Sequence, residues 1–131
     1  MMTRILQYND GERIISAGNM ERRMYIILEG LVEISLSEGQ QKIILATVQK
    51  GNFFGEISLF NNRPRSANVD AKGDVKLTYI DNVNQLNEFL VKNSMFAAKM
   101  VHILANRLAK TDELLLGKVN EINRIKTTSR I

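Results

Sequence analysis

The sequence predicts an α+β fold, an antiparallel β barrel of jelly-roll type followed by C-terminal helices. Three observations predict it. Short apolar runs with period-two alternation fill the first 82 residues, turn-forming residues punctuate them at short intervals, and the period changes to that of a helix after Asp81.

Each element rests on local chemistry. Val32, Ile34 and Leu36 alternate with Glu33, Ser35 and Ser37, the pattern of a half-buried strand. Met24 to Leu28 and Lys42 to Val48 are β-branched-rich runs. Asn9-Asp10-Gly11, Gly18-Asn19, Gly30, Glu38-Gly39 and Lys50-Gly51-Asn52 supply the expected turns. Two further strands are expected where Ala67, Val69 and Ala71, and then Val75, Leu77 and Tyr79, alternate with polar residues. Beyond them Leu86, Phe89, Leu90, Phe96, Met100, Leu104 and Leu108 follow helical spacing. Asp81 or Asn82 is the expected cap, and Asn93-Ser94 the break between a first helix and a longer second one. A chain of 131 residues suits a single domain, with strands over 1–82 and helices over 83–131.

Composition narrows the function. With 44% hydrophobic and 24% charged residues the chain is that of a globular protein. The absence of cysteine excludes disulfides and thiolate metal sites and fits a cytoplasmic location. No leader pattern or membrane-spanning apolar run is evident, so no membrane is expected as a partner. The net charge of +4 is spread along the chain, except for a basic tail of Lys118, Arg124, Lys126 and Arg130, which reads as a solvated helix end. His102 is the one histidine, which leaves a metal-dependent hydrolase or a nucleophilic triad without its parts. No catalytic residue, metal or cofactor is expected.

One segment carries chemistry, Phe53 to Ala71, which holds the single proline, Pro64. Gly55 permits a turn and a close approach to the backbone. Residues 56–60 suit one helical turn whose first amides point at an anion. The guanidinium fork of Arg65 matches two phosphate oxygens, Ser66 adds a hydroxyl donor, and Glu56 is an acceptor for a sugar hydroxyl. The same spacing also suits a plain surface salt bridge between Glu56 and Arg65.

Phe54-Gly55-Glu56-Ile57-Ser58-Leu59 and Pro64-Arg65-Ser66-Ala67 resemble the phosphate-binding cassette of the cyclic-nucleotide-binding domain family. That family includes bacterial catabolite activators, regulatory subunits of cyclic-AMP-dependent protein kinase and cyclic-nucleotide-gated channels. Asp10 to Ile15 with Gly18, and Met24 to Gly30, resemble the family's early strands, and the likeness runs from about Tyr8 to about Leu115. The resemblance implies a ligand, cyclic AMP or cyclic GMP, bound along Gly55, Glu56, Ile57 and Ser58 and along Arg65, Ser66 and Ala67. It assigns Glu56 to the ribose 2′-hydroxyl, Arg65 and Ser66 to the exocyclic phosphate oxygens, and the amides of Gly55, Ser58 and Ala67 to the phosphate cradle. The side chains of Ile57 and Leu59 are expected to pack into the barrel.

Serine at position 66, where cyclic-GMP-selective members often carry threonine, favours cyclic AMP. Asn106 to Glu113 resembles the part of the activators' long helix where a threonine contacts adenine, and Thr111 takes that place. It suits an ordinary surface hydroxyl equally well. Asp112 stands where those activators have a serine from the partner subunit. Val101, Leu104, Leu108, Thr111, Leu115, Lys118, Ile122 and Ile125 are spaced three and four apart, the seam of a coiled coil, so a homodimer through the C-terminal helix is expected. Gly117 costs about 1 kcal/mol there relative to alanine. Val101, Leu104 and Leu108 also suit a cover for the barrel. No DNA-binding domain is expected after the helix. The expected function is therefore a cyclic-nucleotide sensor whose ligand shifts the C-terminal helix; the competing one is a dimerisation module that keeps the fold without the ligand.

Overall fold

The computed structural model describes residues 4–129, with side chains at all of them except 114, 118, 121 and 123–129. The elements in chain order are β1 (Ile5–Tyr8), β2 (Arg13–Ile15), β3 (Met24–Glu38), β4 (Gln41–Gln49), β5 (Phe53–Phe54), α1 (Glu56–Phe60), β6 (Asn68–Ile80), α2 (Val83–Lys92) and α3 (Ser94–Ser129). The chain divides into two compact units, Met1–Phe89 and Leu90–Ile131.

Every strand pairing is antiparallel, and the order is β1-β6-β3-β4, with β2 also on β6 and β5 also on β3. β3 and β6 are long because each is two strands joined in line. The first half of β3 pairs with β5 and with the second half of β6, which carries β1. The second half of β3 pairs with β4 and with the first half of β6, which carries β2. Two four-stranded layers result, the arrangement of a jelly roll.

The sequence reading placed a turn at Gly30. The structure has a bulge there instead, with register shifts at Ile27/Glu29 and, across Gly30 itself, at Glu29/Leu31. Gly30 takes φ +94°, and a Cβ on it would lie 2.4 Å from the carbonyl oxygen of Asp74. Only a residue without a side chain lets β3 bend so close to its neighbour. The expected break between Ala71 and Val75 likewise becomes a continuation of β6, which begins at Asn68 and leaves Ala67 outside it. The other expected turns stand where they were placed.

The inner faces of the two layers meet in one core. Tyr25, Ile27, Phe54, Val75 and Leu77 come from one layer, and Ile15, Val32, Val48, Val69 and Ala71 from the other. Burying each of the larger side chains is worth about 1.5–3 kcal/mol. On the opposite face of β3, α1 packs and buries Leu59. Asn82 accepts a hydrogen bond from the amide of Gln85 at 2.9 Å, while the Gln85 carboxamide accepts from the amide of Asp81 at 2.9 Å. α2 is therefore capped as expected, and a single residue, Asn93, separates it from α3.

The second unit is mostly α3, a helix of 36 residues. Of the expected seam, Val101, Leu104, Leu108, Thr111, Leu115 and Ile122 are exposed. The side chains of Lys118 and Ile125, like those of Arg124 and Lys126, and the whole of Arg130 lie outside the described residues. No helix of the described residues is long and apolar enough to cross a membrane.

Candidate functional site

The segment from Phe53 to Ala67 is pinned at both ends. Phe53 and Phe54 are buried on β5, where they pair with Ile26 and Tyr25, and the Phe54 ring stacks on Tyr25 at 5.2 Å and 16°. At the far end Asn68 fixes the start of β6: its side-chain oxygen accepts from the Ala17 amide at 2.8 Å. The chain between these anchors is thereby held against the loop joining β2 to β3.

Gly55 turns the chain from β5 into α1. It adopts φ +82° and ψ +10° and caps α1 without any side-chain hydrogen bond. A Cβ there would lie 2.7 Å from Nη1 of Arg65 and 2.9 Å from the carbonyl oxygen of Arg23. Glycine is required twice over, by the left-handed backbone and by the guanidinium against it.

Within α1, Ser58 and Leu59 are buried and Glu56 is half-buried. Ile57 does not pack into the barrel as expected; it is 64% exposed. At 100° per residue, positions 57 and 59 lie on nearly opposite sides of a helix, so one turn cannot bury both. Leu59 takes the inward side.

Arg65 lies in the loop before β6 and is 5% exposed. Its backbone is clamped: its amide donates to Asn19 O at 2.8 Å, and its carbonyl accepts from the Gly18 amide at 2.8 Å. In the side chain, Nη1 donates to Gly55 O at 3.0 Å and Nη2 donates to Arg23 O. Nη2 also stands 3.6 Å from the Glu21 carboxylate. Nε is buried and has no hydrogen-bond partner among the described residues. Burial pushes the guanidinium below its ordinary pKa, while the nearby Glu21 carboxylate and, more weakly, that of Glu56 pull it back. An arginine stays charged through such a shift.

Arg65 pairs with Glu21, a partner that the spacing within the segment did not suggest. Beside the arginine, Ser66 is exposed and Ala67 half-buried. The fold therefore brings Gly55 against Arg65, with Glu56, Ile57 and Ser58 following the one and Ser66 and Ala67 following the other in the chain, and Ile57 is exposed. Thr111 belongs to the second unit, exposed on α3, where its hydroxyl donates to Arg107 O at 3.0 Å.

Several participants escaped the sequence reading. Glu21, the Arg23 carbonyl and Tyr25 all meet Arg65 or its partner, and the sole local signal was the Gly18-Asn19 turn. A second polar cluster occupies the outer face of the sheet, where a depression of about 520 Å³ is lined by Asp10, Arg13, Glu33, Lys42, Asp70 and Lys72, among others. Its charges are matched internally: Arg13 pairs with Asp70 at 2.8 Å, and Glu33 lies between Lys42 and Lys72. Among the described residues no group of three or more His, Cys, Asp or Glu side chains is placed to hold a metal ion.

In chemical terms, the first site offers a dehydrated cation with unused donors beside the uncapped start of a helical turn. That combination suits an anion with several oxygens.

The chain is 40% identical over 75 residues to the cAMP-dependent protein kinase type II regulatory subunit of Drosophila melanogaster, a match covering 56% of this chain and 20% of that protein. The matched part is thus about a fifth of the relative's length. Among solved structures, the catabolite activator protein of Thermus thermophilus superposes with a TM-score of 0.72 at 26% identity, over 86% of this chain and 53% of that one. The cGMP-bound form of the EAL enzyme Bd1971 gives a TM-score of 0.60 at 27% identity, over 72% of this chain and 27% of that one. The family model described as "Cyclic nucleotide-binding domain" matches residues 5–93, well over half of the chain, and the protein belongs to that family.

Proposed function

We propose that this chain is a cyclic-AMP sensor in which Arg65 receives the cyclic phosphate, Glu56 accepts from the ribose 2′-hydroxyl, and α3 responds to the ligand. The observation that carries this reading is the buried guanidinium of Arg65, whose Nε has no hydrogen-bond partner among the described residues. A buried donor left unsatisfied costs about 1–3 kcal/mol, and a phosphate oxygen relieves that cost. Ser66 beside it, and the amides of Gly55, Ser58 and Ala67, complete the proposed cradle.

The choice of cyclic AMP rests on Ser66 and on Thr111 as a contact to adenine. Cyclic GMP is the second reading, because a structural relative, Bd1971, has a cGMP-bound form. A fold kept for dimerisation alone has no use for a buried arginine next to a glycine that must make room for it.

Thermal melting tests the proposal. At ligand near 100 times its dissociation constant, binding adds about 2.7 kcal/mol to stability, a shift of several degrees. Cyclic AMP should give this shift at lower concentration than cyclic GMP. No shift with either nucleotide at millimolar concentration would falsify the proposal.

A further inference from the structure

We propose that the outer face of the layer holding β2 and β4 carries a second anion site, separate from Arg65, which takes the phosphate group of a small ligand on Arg13, Lys42 and Lys72.

The site is built on a row of charges that crosses the strands. Arg13 on β2 lies opposite Asp70 on β6, and Asp70 lies opposite Glu33 on β3. Two carboxylates thus face each other on neighbouring strands, a pairing that costs stability unless cations cover it. Three cations cover it here. Arg13 holds both oxygens of Asp70, with Nε donating to Oδ1 at 2.8 Å and Nη2 to Oδ2 at 3.2 Å. Lys42, from β4, pairs with Oε1 of Glu33, and Lys72, from β6, stands 3.3 Å from Oε2.

These charges balance in sum but not in depth. The side chains of Glu33 and Asp70 are 3% and 12% exposed, whereas those of Arg13, Lys42 and Lys72 are 47%, 49% and 52% exposed. The acids lie beneath and the bases stand outward. An ammonium carries three donors and a guanidinium five, so each cation keeps donors beyond those given to its carboxylate. All three line one depression of about 520 Å³, with Asp10, which accepts from the Gly73 amide at 2.7 Å, also in its wall. That volume is in the range of small-molecule sites.

A cation held from below is placed before the ligand arrives, which lowers the freedom lost on binding. A tetrahedral dianion has enough acceptor oxygens to meet three such groups at once. A lone carboxylate has only two oxygens, and an apolar ligand would meet charged walls. Phosphate, free or as the end of a small ester, is the chemistry that fits.

The test is a residue-resolved NMR titration of the chain with inorganic phosphate and with ribose 5-phosphate, at constant ionic strength and about pH 7.5, where both are mostly dianions. Amides of β2, β4 and the first half of β6 should shift and saturate, with a dissociation constant of about 1 mM or below. Equal affinity for the two ligands supports the site with the free ion as its ligand, and tighter binding of the ester supports it with a phosphorylated small molecule. Lys72→Gln should weaken binding about tenfold, the loss of one charge-assisted contact. Lys76→Gln, which removes the same charge elsewhere on β6, should change it by less than about twofold. Lys42→Gln serves if Lys72→Gln does not fold. Shifts confined to residues 55–67 would report phosphate at Arg65 alone and overturn the second site. Shifts that do not saturate at tens of millimolar, or equal losses in Lys72→Gln and Lys76→Gln, would overturn it as well, and none of these results touches the proposal for Arg65.

Discussion

Arg65 is a charged side chain with 5% of its surface exposed, held by two backbone carbonyls and one carboxylate. Such a placement is costly unless partners compensate it, and these partners leave Nε without one. Replacing Arg65 by alanine should therefore remove at least about 3 kcal/mol of ligand binding, roughly a hundredfold in affinity, while folding survives. Gly55 makes a sharper test of the geometry. Its alanine variant places a Cβ at φ +82° against Arg65 and Arg23, and should lose about 1–3 kcal/mol of stability together with most of the ligand affinity. Urea denaturation and nucleotide titration of the same sample measure both. Full affinity in that variant would mean that the arginine does not depend on the close fit.

At the scale of elements, the outer face of β3 departs most from its pattern. Alternation placed Glu33 and Ser35 on a solvated face, yet both are buried, at 2% and 1% exposure. Lys42 and Lys72 lie across Glu33, and a strand's period cannot report a cover supplied by its neighbours. The Lys42 ammonium, paired with it, and then Lys72 hold the Glu33 carboxyl below the usual carboxylate range, with burial opposing them. A depressed folded pKa stabilises above the unfolded value and is lost as pH falls through the folded one. Stability should therefore drop below about pH 4, and Glu33→Gln should flatten that drop. Equal acid slopes for the two proteins in urea titrations would remove Glu33 from the account. Gly30 belongs to this scale as well. With a Cβ 2.4 Å from the Asp74 carbonyl, a backbone atom that cannot swing aside, Gly30→Ala should cost about 3 kcal/mol or more. What sequence did carry was local: the turns at Gly18, Gly39 and Gly51, the caps of α2, and the close approach at Gly55, which Arg65 makes. What it missed came from distant chain. Gly30 looked like a turn because its close approach to Asp74 spans a strand pairing, and the Glu21–Arg65 pair joins loops 44 residues apart in numbering.

At the scale of the whole molecule, the first unit holds the proposed phosphate site and the second holds α3 and Thr111. Along α3, Val101, Leu108, Leu115 and Ile122 are between 51% and 69% exposed, a long apolar stripe of the kind that a partner covers. We propose a homodimer through this helix. Sedimentation should give a dimer for the wild type, and Leu108→Glu with Leu115→Glu should give a folded monomer. A wild-type monomer at tens of micromolar would remove the dimer and leave the proposed phosphate site intact, because Gly55, Glu56 and Arg65 lie in one unit of one chain. A ligand shifts α3 only through unequal contact with its positions, and Thr111 is the proposed source of that difference. The central claim is that a cyclic nucleotide binds through Arg65, and calorimetric titration of wild type and Arg65→Lys with cyclic AMP tests it most directly. Lysine keeps the charge but loses the fork, so the account predicts a saturable isotherm with one site per chain for wild type and an affinity at least about tenfold weaker for the variant. Absence of heat and of saturation in the wild type, or equal affinities in the two proteins, would contradict it.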